Sequence, residues 1–384
     1  MSELDPKTQE AVQRIPLKST WMGMAWSRDG RTLYLSGGNA NSSEAAGPPS
    51  RAPIYEFTYS NGRLSEKPSA QMDETIPLDK IYWSGLAYHP KKDLLYAANR
   101  GTSDAPSNVV VFDARTRQIV TRIAVEVNPY ELVFSADRAT LFVSNWASKS
   151  VSVIDTNSNR VVGTIPVGSN PNDMKLSPDG RLFVACSNDN TIHVIDTKKR
   201  MVVERISTTL TPQAPEGSTP DALEIDATRK LLYVANADNN AIGVINIADR
   251  DHSEVLGFIP SGWYPSALTL ADSGRTLYIG NSKGQASYPD IKGPGSPLAS
   301  GWNGDESIKT LQKGSVEMVP VGDLRDKLAG YTKQVLANTP YNDSQLAFAR
   351  EGKAPSVIPR ETGAARRSST SFTSSRKIAL TTRC

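Results

Sequence analysis

The stretch "NPNDMKLSPDGRLFVACSNDNTIHVIDTKKRMVVERI", Asn170 to Ile206, decides the fold. Short alternating runs such as Leu182-Phe183-Val184 and Ile192-His193-Val194-Ile195 have period two and are rich in β-branched residues, which suit a pleated strand. Asp179-Gly180 marks a hairpin turn, Asn188-Asp189-Asn190 a polar loop, and Lys198-Lys199-Arg200 a further turn after "VIDT". Four short antiparallel strands follow from that punctuation. The stretch recurs on either side, as "NPYELVFSADRATLFVSNWASKSVSVIDTNSNRVVGTI" (Asn128 to Ile165) and "TPDALEIDATRKLLYVANADNNAIGVINI" (Thr219 to Ile247). More divergent copies start at Trp21, Trp83 and Trp263.

Six units with a period of roughly 40–60 residues fall in the range of propeller blades. Radial sheets leave only short, protected edges, so the expected fold is all-β, a β-propeller of four-stranded antiparallel blades. Ahead of the first full unit, "LDPKTQEAVQRIPL" (Leu4 to Leu17) aligns with "IDTNSNRVVGTIPV" (Ile154 to Val167), the end of a third strand and a fourth. That outer strand either completes the last blade from outside or belongs to a seventh blade whose other strands are missing. The second arrangement is preferred, because Val316–Val321 reads as the last blade's own final strands. The expected division is a terminal strand of an incomplete blade over 1–20, propeller repeats over 21–322, an amphipathic helical segment over 323–350, and linker with tail over 351–384.

Bulk properties exclude several classes. A formal charge of +3 over 384 residues is too small to argue for nucleic acid, and no apolar run is long enough for a membrane-spanning helix. "MSELDPKTQE" has neither a basic nor an apolar region of a secretory signal. Two cysteines, Cys186 and Cys384, build no framework, and Cys186 reads as a small buried strand residue.

In four-stranded blades the connections between blades share one face with the second-to-third-strand loops. This places Trp21, Tyr82, Trp83, Tyr130, Trp263 and Tyr264 around one mouth of the central channel, with Trp146, Asp238, Asn239 and Trp302 on nearby loops. An aromatic, polar rim suits a small molecule, glycan or peptide; the alternative is that these aromatics pack between blades. Glu131, Asp173 and Asp221 at blade starts line the mouth as cation ligands or cap turns. The connections Gly37–Pro53 and Ser282 to about Lys313 are unusually long and would project from the same face. The three histidines, His89, His193 and His252, sit at different blade positions, so neither a histidine metal cluster nor haem ligation is expected, and no catalytic or metal residue is assigned in this chain. Neither a nucleophile elbow nor a phosphate-binding loop occurs.

After the last blade, Leu324, Leu328, Tyr331, Val335 and Leu336 recur at helical spacing. They predict an amphipathic helix from Asp323, its cap, to about Ala337, docked on the propeller or on a following domain. A second short helix is expected over Asp343–Arg350.

The tetrapeptides Tyr96-Ala97-Ala98-Asn99, Phe142-Val143-Ser144-Asn145, Tyr233-Val234-Ala235-Asn236 and Tyr278-Ile279-Gly280-Asn281 carry the repeat. With the "SPDG" and "VSVIDT" elements they resemble the YVTN-repeat family of β-propellers over residues 4 to 322. The resemblance implies seven blades in most relatives. "GFIPSGWYPSAL", "KGSVEMVPV", "YTKQVLANTPYND" and "SVIPRETG" look like the junction in relatives fused to a metal-dependent phosphoesterase domain of the alkaline-phosphatase superfamily. The resemblance implies divalent metals for that domain only, that domain as the docking partner, and a periplasmic or extracellular site.

Such relatives continue with a segment of the kind "IKHVLYIIKENRTYDQV". Here "SSTSFTSSRKIALTTRC", Ser368 to Cys384, stands in its place, and its codons read one frame away are compatible with that segment. A frameshift near Ala364–Ala365 is the expectation. The function expected of this chain is non-catalytic binding or scaffolding, as the truncated propeller portion of such a phosphoesterase. A propeller enzyme such as a lactonase, or a free-standing surface binding protein, remains the alternative.

Overall fold

Each repeat folds into an antiparallel sheet whose strands follow one another in sequence order. The computed structural model describes residues 2–5, 10–17, 20–37, 53–72, 83–102, 104–212, 214, 216–285, 291 and 313–339. In blade 1, β3 (Met24–Trp26), β4 (Thr32–Ser36) and β5 (Ile54–Ser60) are joined by β6 (Arg63–Leu64) and β7 (Ala70–Met72), both paired with β5. Blade 2 is β8 (Trp83–His89), β9 (Leu94–Asn99), β10 (Pro106–Asp113) and β11 (Ile119–Val127). Blade 3 is β12 (Pro129–Phe134), β13 (Thr140–Asn145), β14 (Ser150–Asp155) and β15 (Arg160–Pro166). Blade 4 is β16 (Pro171–Leu176), β17 (Arg181–Cys186), β18 (Thr191–Asp196) and β19 (Met201–Ser207). Blade 5 is β20 (Pro220–Asp226), β21 (Leu231–Asn236), β22 (Ala241–Asn246) and β23 (Glu254–Pro260).

The sixth sheet has three strands among the described residues, β24 (Pro265–Ala271), β25 (Thr276–Asn281) and β26 (Ser315–Pro320). Val316–Val321 was expected to hold the blade's final strands; it supplies one strand, the third, because the chain turns into a helix directly after Val321. At the other end, β1 (Ser2–Leu4) and β2 (Ala11–Arg14) pair, among the described residues, with each other alone. This hairpin packs on blade 1, not on the sixth. Gln13 exchanges two hydrogen bonds with the Leu64 backbone, at 2.8 and 3.1 Å, and Ile15 packs with Leu33, Leu35 and Phe57.

Burial explains the residue pattern. Every residue of β17 is buried, since a second strand is sandwiched between neighbouring blades, and it reads as a nearly continuous apolar run. The outer strand β19 alternates exposed and half-buried positions because one of its faces meets water. The core therefore lies between sheets: Phe142, Met174, Leu182 and Val184 join blades 3 and 4, and Phe183, Leu223 and Leu232 join blades 4 and 5. Each such side chain contributes about 1.5–3 kcal/mol on burial.

The turns away from the channel mouth bolt blades together. Arg181, 2% exposed, donates to the carbonyls of Ile247 at 2.5 Å and Asp249 at 3.0 Å in the next blade. Arg229 does the same toward Gly274 and Val321, and Lys92 Nζ reaches the Thr156 carbonyl at 2.6 Å.

The expected helix is α1 (Leu324–Asn338), which buries Leu324, Leu328 and Val335 against blades 5 and 6. Two details differ from expectation. Leu336 is exposed, one step around from Val335 and off the buried stripe. Asp323 makes no side-chain cap; its carboxylate pairs with Lys327 at 2.8 Å instead. A pocket of about 600 Å³ lies between the helix and blade 5, lined by Leu231, Val244, Leu256 and Leu328 among others. Residues 343–350, the tail and most of the two long connections lie outside the described residues.

Candidate functional site

The innermost strands β8, β12, β16, β20 and β24 each begin with the same irregularity, a register shift opposite the end of the second strand. A bulge leaves one or two residues unpaired and re-aims their side chains. Tyr130-Glu131, Asn172-Asp173, Asp221 and Ser266 occupy those places. The residue before the strand-opening proline has a left-handed backbone in four successive blades, with φ of 54° at Asn128 and Asn170, 51° at Thr219 and 59° at Tyr264. Asparagine accepts that conformation readily; a β-branched or aromatic residue does so at a cost. In return, its carbonyl accepts the N–H of Trp146, Ser187, Ala237 or Ser282, closing the loop after the second strand.

Side chains then link neighbouring inner strands. Ser84, Ser144 and Ser187 donate to the carbonyls of Pro129, Asn172 and Pro220 in the next blade, at 2.7, 2.8 and 3.1 Å. Asp173 accepts the Leu223 N–H at 2.7 Å, and Asn172 Nδ2 donates to Asp221 Oδ1 at 2.7 Å. Lys175 Nζ stands 3.2 Å from Glu224 Oε2.

The result is a chain of carboxyl groups, Glu131, Asp173 and Asp221, running across blades 3, 4 and 5. Burial, then the charge of Asp173, raises Glu131 well above the ordinary carboxylate range. Asp173 is raised too, by burial that outweighs the opposing Lys175 charge. Asp221 is pushed up to about 7 by burial and by Asp173, against the hydrogen bond from Asn172. Burial alone would lower Lys175, but Asp173 and Glu224 outweigh it and its ammonium is stabilised. Next along, burial pushes the Tyr264 hydroxyl up to about 12, with Asp221 and Asp238 adding to the shift. Among the described residues, these acids do not gather as a three-ligand metal group.

The rim expected from the sequence divides. Trp21 and Trp263 are 39% and 41% exposed, an unusual state for tryptophan. Tyr130 is half-buried, and Tyr264 lies beneath the Lys283 ammonium, 4.1 Å from its ring centre. Trp146 is half-buried below the Arg100 guanidinium at 5.4 Å. Asp238 accepts from Thr219 Oγ1 at 2.6 Å and Asn239 donates to Ser218 Oγ at 2.9 Å, so both brace their loop. Trp83 is corrected: it is fully buried, edge-on to Phe112 at 5.8 Å. It opposes Asn99 in the position that Pro129 and Pro265 hold in other blades, so it begins the strand and points into the core. Tyr82 and Trp302 lie outside the described residues. Asn172, Lys175 and Glu224 were not singled out from the sequence; their signal was position in the repeat, one residue after the strand-opening Pro171 for Asn172, and four residues after Pro171 and Pro220 for Lys175 and Glu224 respectively.

Comparison with known proteins agrees with this architecture. The chain is 25% identical over 208 residues to Antigen Lp49 of Leptospira interrogans, covering 50% of this chain and 45% of that protein. It is 27% identical over 178 residues to the seven-bladed β-propeller protein Rv1057 of Mycobacterium tuberculosis, covering 45% of this chain and 42% of that one. The matches thus span less than half the length of both relatives. A functionally unknown protein from Desulfotomaculum acetoxidans superposes with a TM-score of 0.57 at 12% identity, over 73% of this chain and 85% of the other. The mitotic checkpoint complex contains a chain with the same TM-score at 13% identity, over 73% and 77%. At such identities the structures speak for the fold alone. No helix among the described residues is long and apolar enough to cross a membrane. Residues 64–274, more than half of the sequence, match the family described as the choice-of-anchor I domain, a β-propeller family, and the chain belongs to it.

Proposed function

We propose that this chain is a non-catalytic binding module whose channel mouth takes a short peptide segment carrying a cationic side chain. The observation that carries this reading is the run Glu131–Asp173–Asp221, three carboxyl groups brought together from successive blades and countered within the run by Lys175. Acids held in a partly desolvated mouth reward a cation that replaces lost water. The exposed part of Trp263 supplies apolar and cation–π contact. A panel of short basic, neutral and acidic peptides, measured by fluorescence anisotropy, tests it: basic peptides bind, and preference for acidic or neutral ones contradicts the reading.

The carboxyl run also favours a second reading, a propeller hydrolase such as a lactonase. Lactone hydrolysis that falls on substitution of Asp221 or Asp173 would support that reading against the first.

The binding module is further proposed to be the propeller portion of an exported, metal-dependent phosphoesterase. Support comes from the junction-like segments between Gly257 and Gly363 and from the codon compatibility of the tail with a metal-site strand. Membership of a choice-of-anchor family fits a surface or secreted setting. Sequencing the gene decides the frame: codons near Ala364–Ala365 that cannot yield the segment in another frame end this part. The purified chain is expected to leave an aryl phosphate untouched with added divalent metals, and turnover would contradict the assignment of catalysis to another domain.

A further inference from the structure

Blade 4 carries a side-chain group that its neighbours do not repeat. The asparagine that ends the second strand of blades 2, 3, 5 and 6, as Asn99, Asn145, Asn236 and Asn281, is Cys186 here. In blade 3, Asn145 Nδ2 donates to Ser150 Oγ at 3.0 Å and Ser152 Oγ at 2.9 Å. Cys186 opposes Thr191 as Asn145 opposes Ser150, so the positions of Ser148, Ser150 and Ser152 are taken by Asp189, Thr191 and His193. Blade 5 has Asn239, Ala241 and Gly243 at these places. One hairpin has exchanged a small polar group for a thiol, a carboxylate and an imidazole.

A ligand-capable atom of each residue lies within 4.8 Å of the other two. Cys186 is 0% and His193 5% exposed, and His193 Nδ1 has no hydrogen-bond partner among the described residues. An orphaned buried polar atom is destabilising, and a bound ligand relieves it. Asp189 is held from outside: Thr191 Oγ1 donates to Oδ1 at 2.6 Å, and the Ser169 N–H donates to Oδ2 at 2.7 Å. Outer donors of this kind fix the orientation of metal-ligating carboxylates. Gly168 makes the room, since a Cβ there would stand 2.2 Å from Asp189 Oδ2 and 2.9 Å from the Cys186 Cβ.

We infer that Cys186, Asp189 and His193 form a binding site for a thiophilic divalent cation of the zinc class, which staples the β17–β18 hairpin. Thiolate, imidazole and carboxylate are donor types zinc selects, at about 2.0–2.3 Å, and three of them hold the ion to the hairpin with one coordination place not supplied by this cluster. The ligand-capable atoms, all within 4.8 Å of one another, surround a common point that such an ion would occupy once the side chains close on it. Binding exchanges the Cys186 S–H bond for a sulfur–metal bond and releases that proton to solvent. Arg205, opposite His193 across β18–β19, is the cation this exchange has to tolerate. Full burial of the sulfur excludes a substrate, which suits a structural ion rather than a nucleophile.

The test is cobalt titration of the purified full chain after chelator treatment. One equivalent of Co²⁺ is expected to give a sulfur-to-cobalt charge-transfer band that Zn²⁺ displaces. The sequence has two cysteines, so persistence of the band in Cys384→Ser assigns it to Cys186 even if Cys186→Ser does not fold. Thr191→Val, which only frees the carboxylate, is expected to weaken binding about 10- to 100-fold. Zn²⁺ should raise the melting temperature of the wild type and leave that of His193→Gln unchanged. Absence of a sulfur band at saturating cobalt, or its loss in Cys384→Ser, overturns the inference.

Discussion

Asn172 Nδ2 donates to Asp221 Oδ1 at 2.7 Å, joining the first strands of blades 4 and 5 through their side chains. The bond favours the ionised carboxylate, yet burial and the neighbouring Asp173 win, and Asp221 rises from 3.8 to about 7. The folded state then binds more protons than the unfolded state across that interval, so stability falls as pH rises from about 4 to about 7. Melting temperatures taken at steps across that range should decline. Asp221→Asn should flatten the decline, and an unchanged slope would remove Asp221 as its source.

Lys149 has φ of 54°, at the position held by Asn190 and Asn240 in the next two blades. A left-handed lysine costs about 1 kcal/mol that asparagine or glycine largely avoids. Lys149→Asn is therefore expected to stabilise by roughly 0.5–1 kcal/mol in urea unfolding. Loss of stability would show that the lysine side chain makes a contact worth more than the backbone strain.

Gly257 and Thr332 tie helix α1 to blade 5. Gly257 has φ of 155°, a Cβ there would come 2.4 Å from Thr332 Oγ1, and that oxygen accepts the Phe258 N–H at 2.9 Å. Gly257→Ala should cost about 1–3 kcal/mol through overpacking and strain. Thr332→Val should cost about 1 kcal/mol through the lost hydrogen bond. Adding Thr332→Ala to Gly257→Ala should recover part of the first loss, and simple additivity in chemical unfolding would refute the close approach.

Much of this architecture is legible in the residues because strand periodicity and turn chemistry are local. Asp179-Gly180 and the Asn-Pro pairs mark where the chain turns, and alternation marks which side of an outer strand is wet. What sequence did not expose depends on contacts between repeats. Trp83 looked like a rim residue, and only its register opposite Asn99 shows that it starts a strand and enters the core. Leu336 matched the apolar spacing, but its neighbour Val335 takes the buried side. Cys186, Asp189 and His193 drew no attention as a group, since their types mean little until hairpin pairing sets Cys186 beside Thr191. Glu131, Asp173 and Asp221 were visible as blade-start acids; the bulges that aim them were not.

The most direct test of the binding role is anisotropy titration of a labelled lysine- or arginine-bearing peptide into wild type, Asp221→Asn and Trp263→Ala. Wild type is predicted to bind with an affinity that weakens with salt, and both substitutions to reduce it by at least about 10-fold, the loss of one charged or aromatic anchor. Binding that ignores salt and both substitutions, or no preference for basic over acidic peptides, would contradict the account.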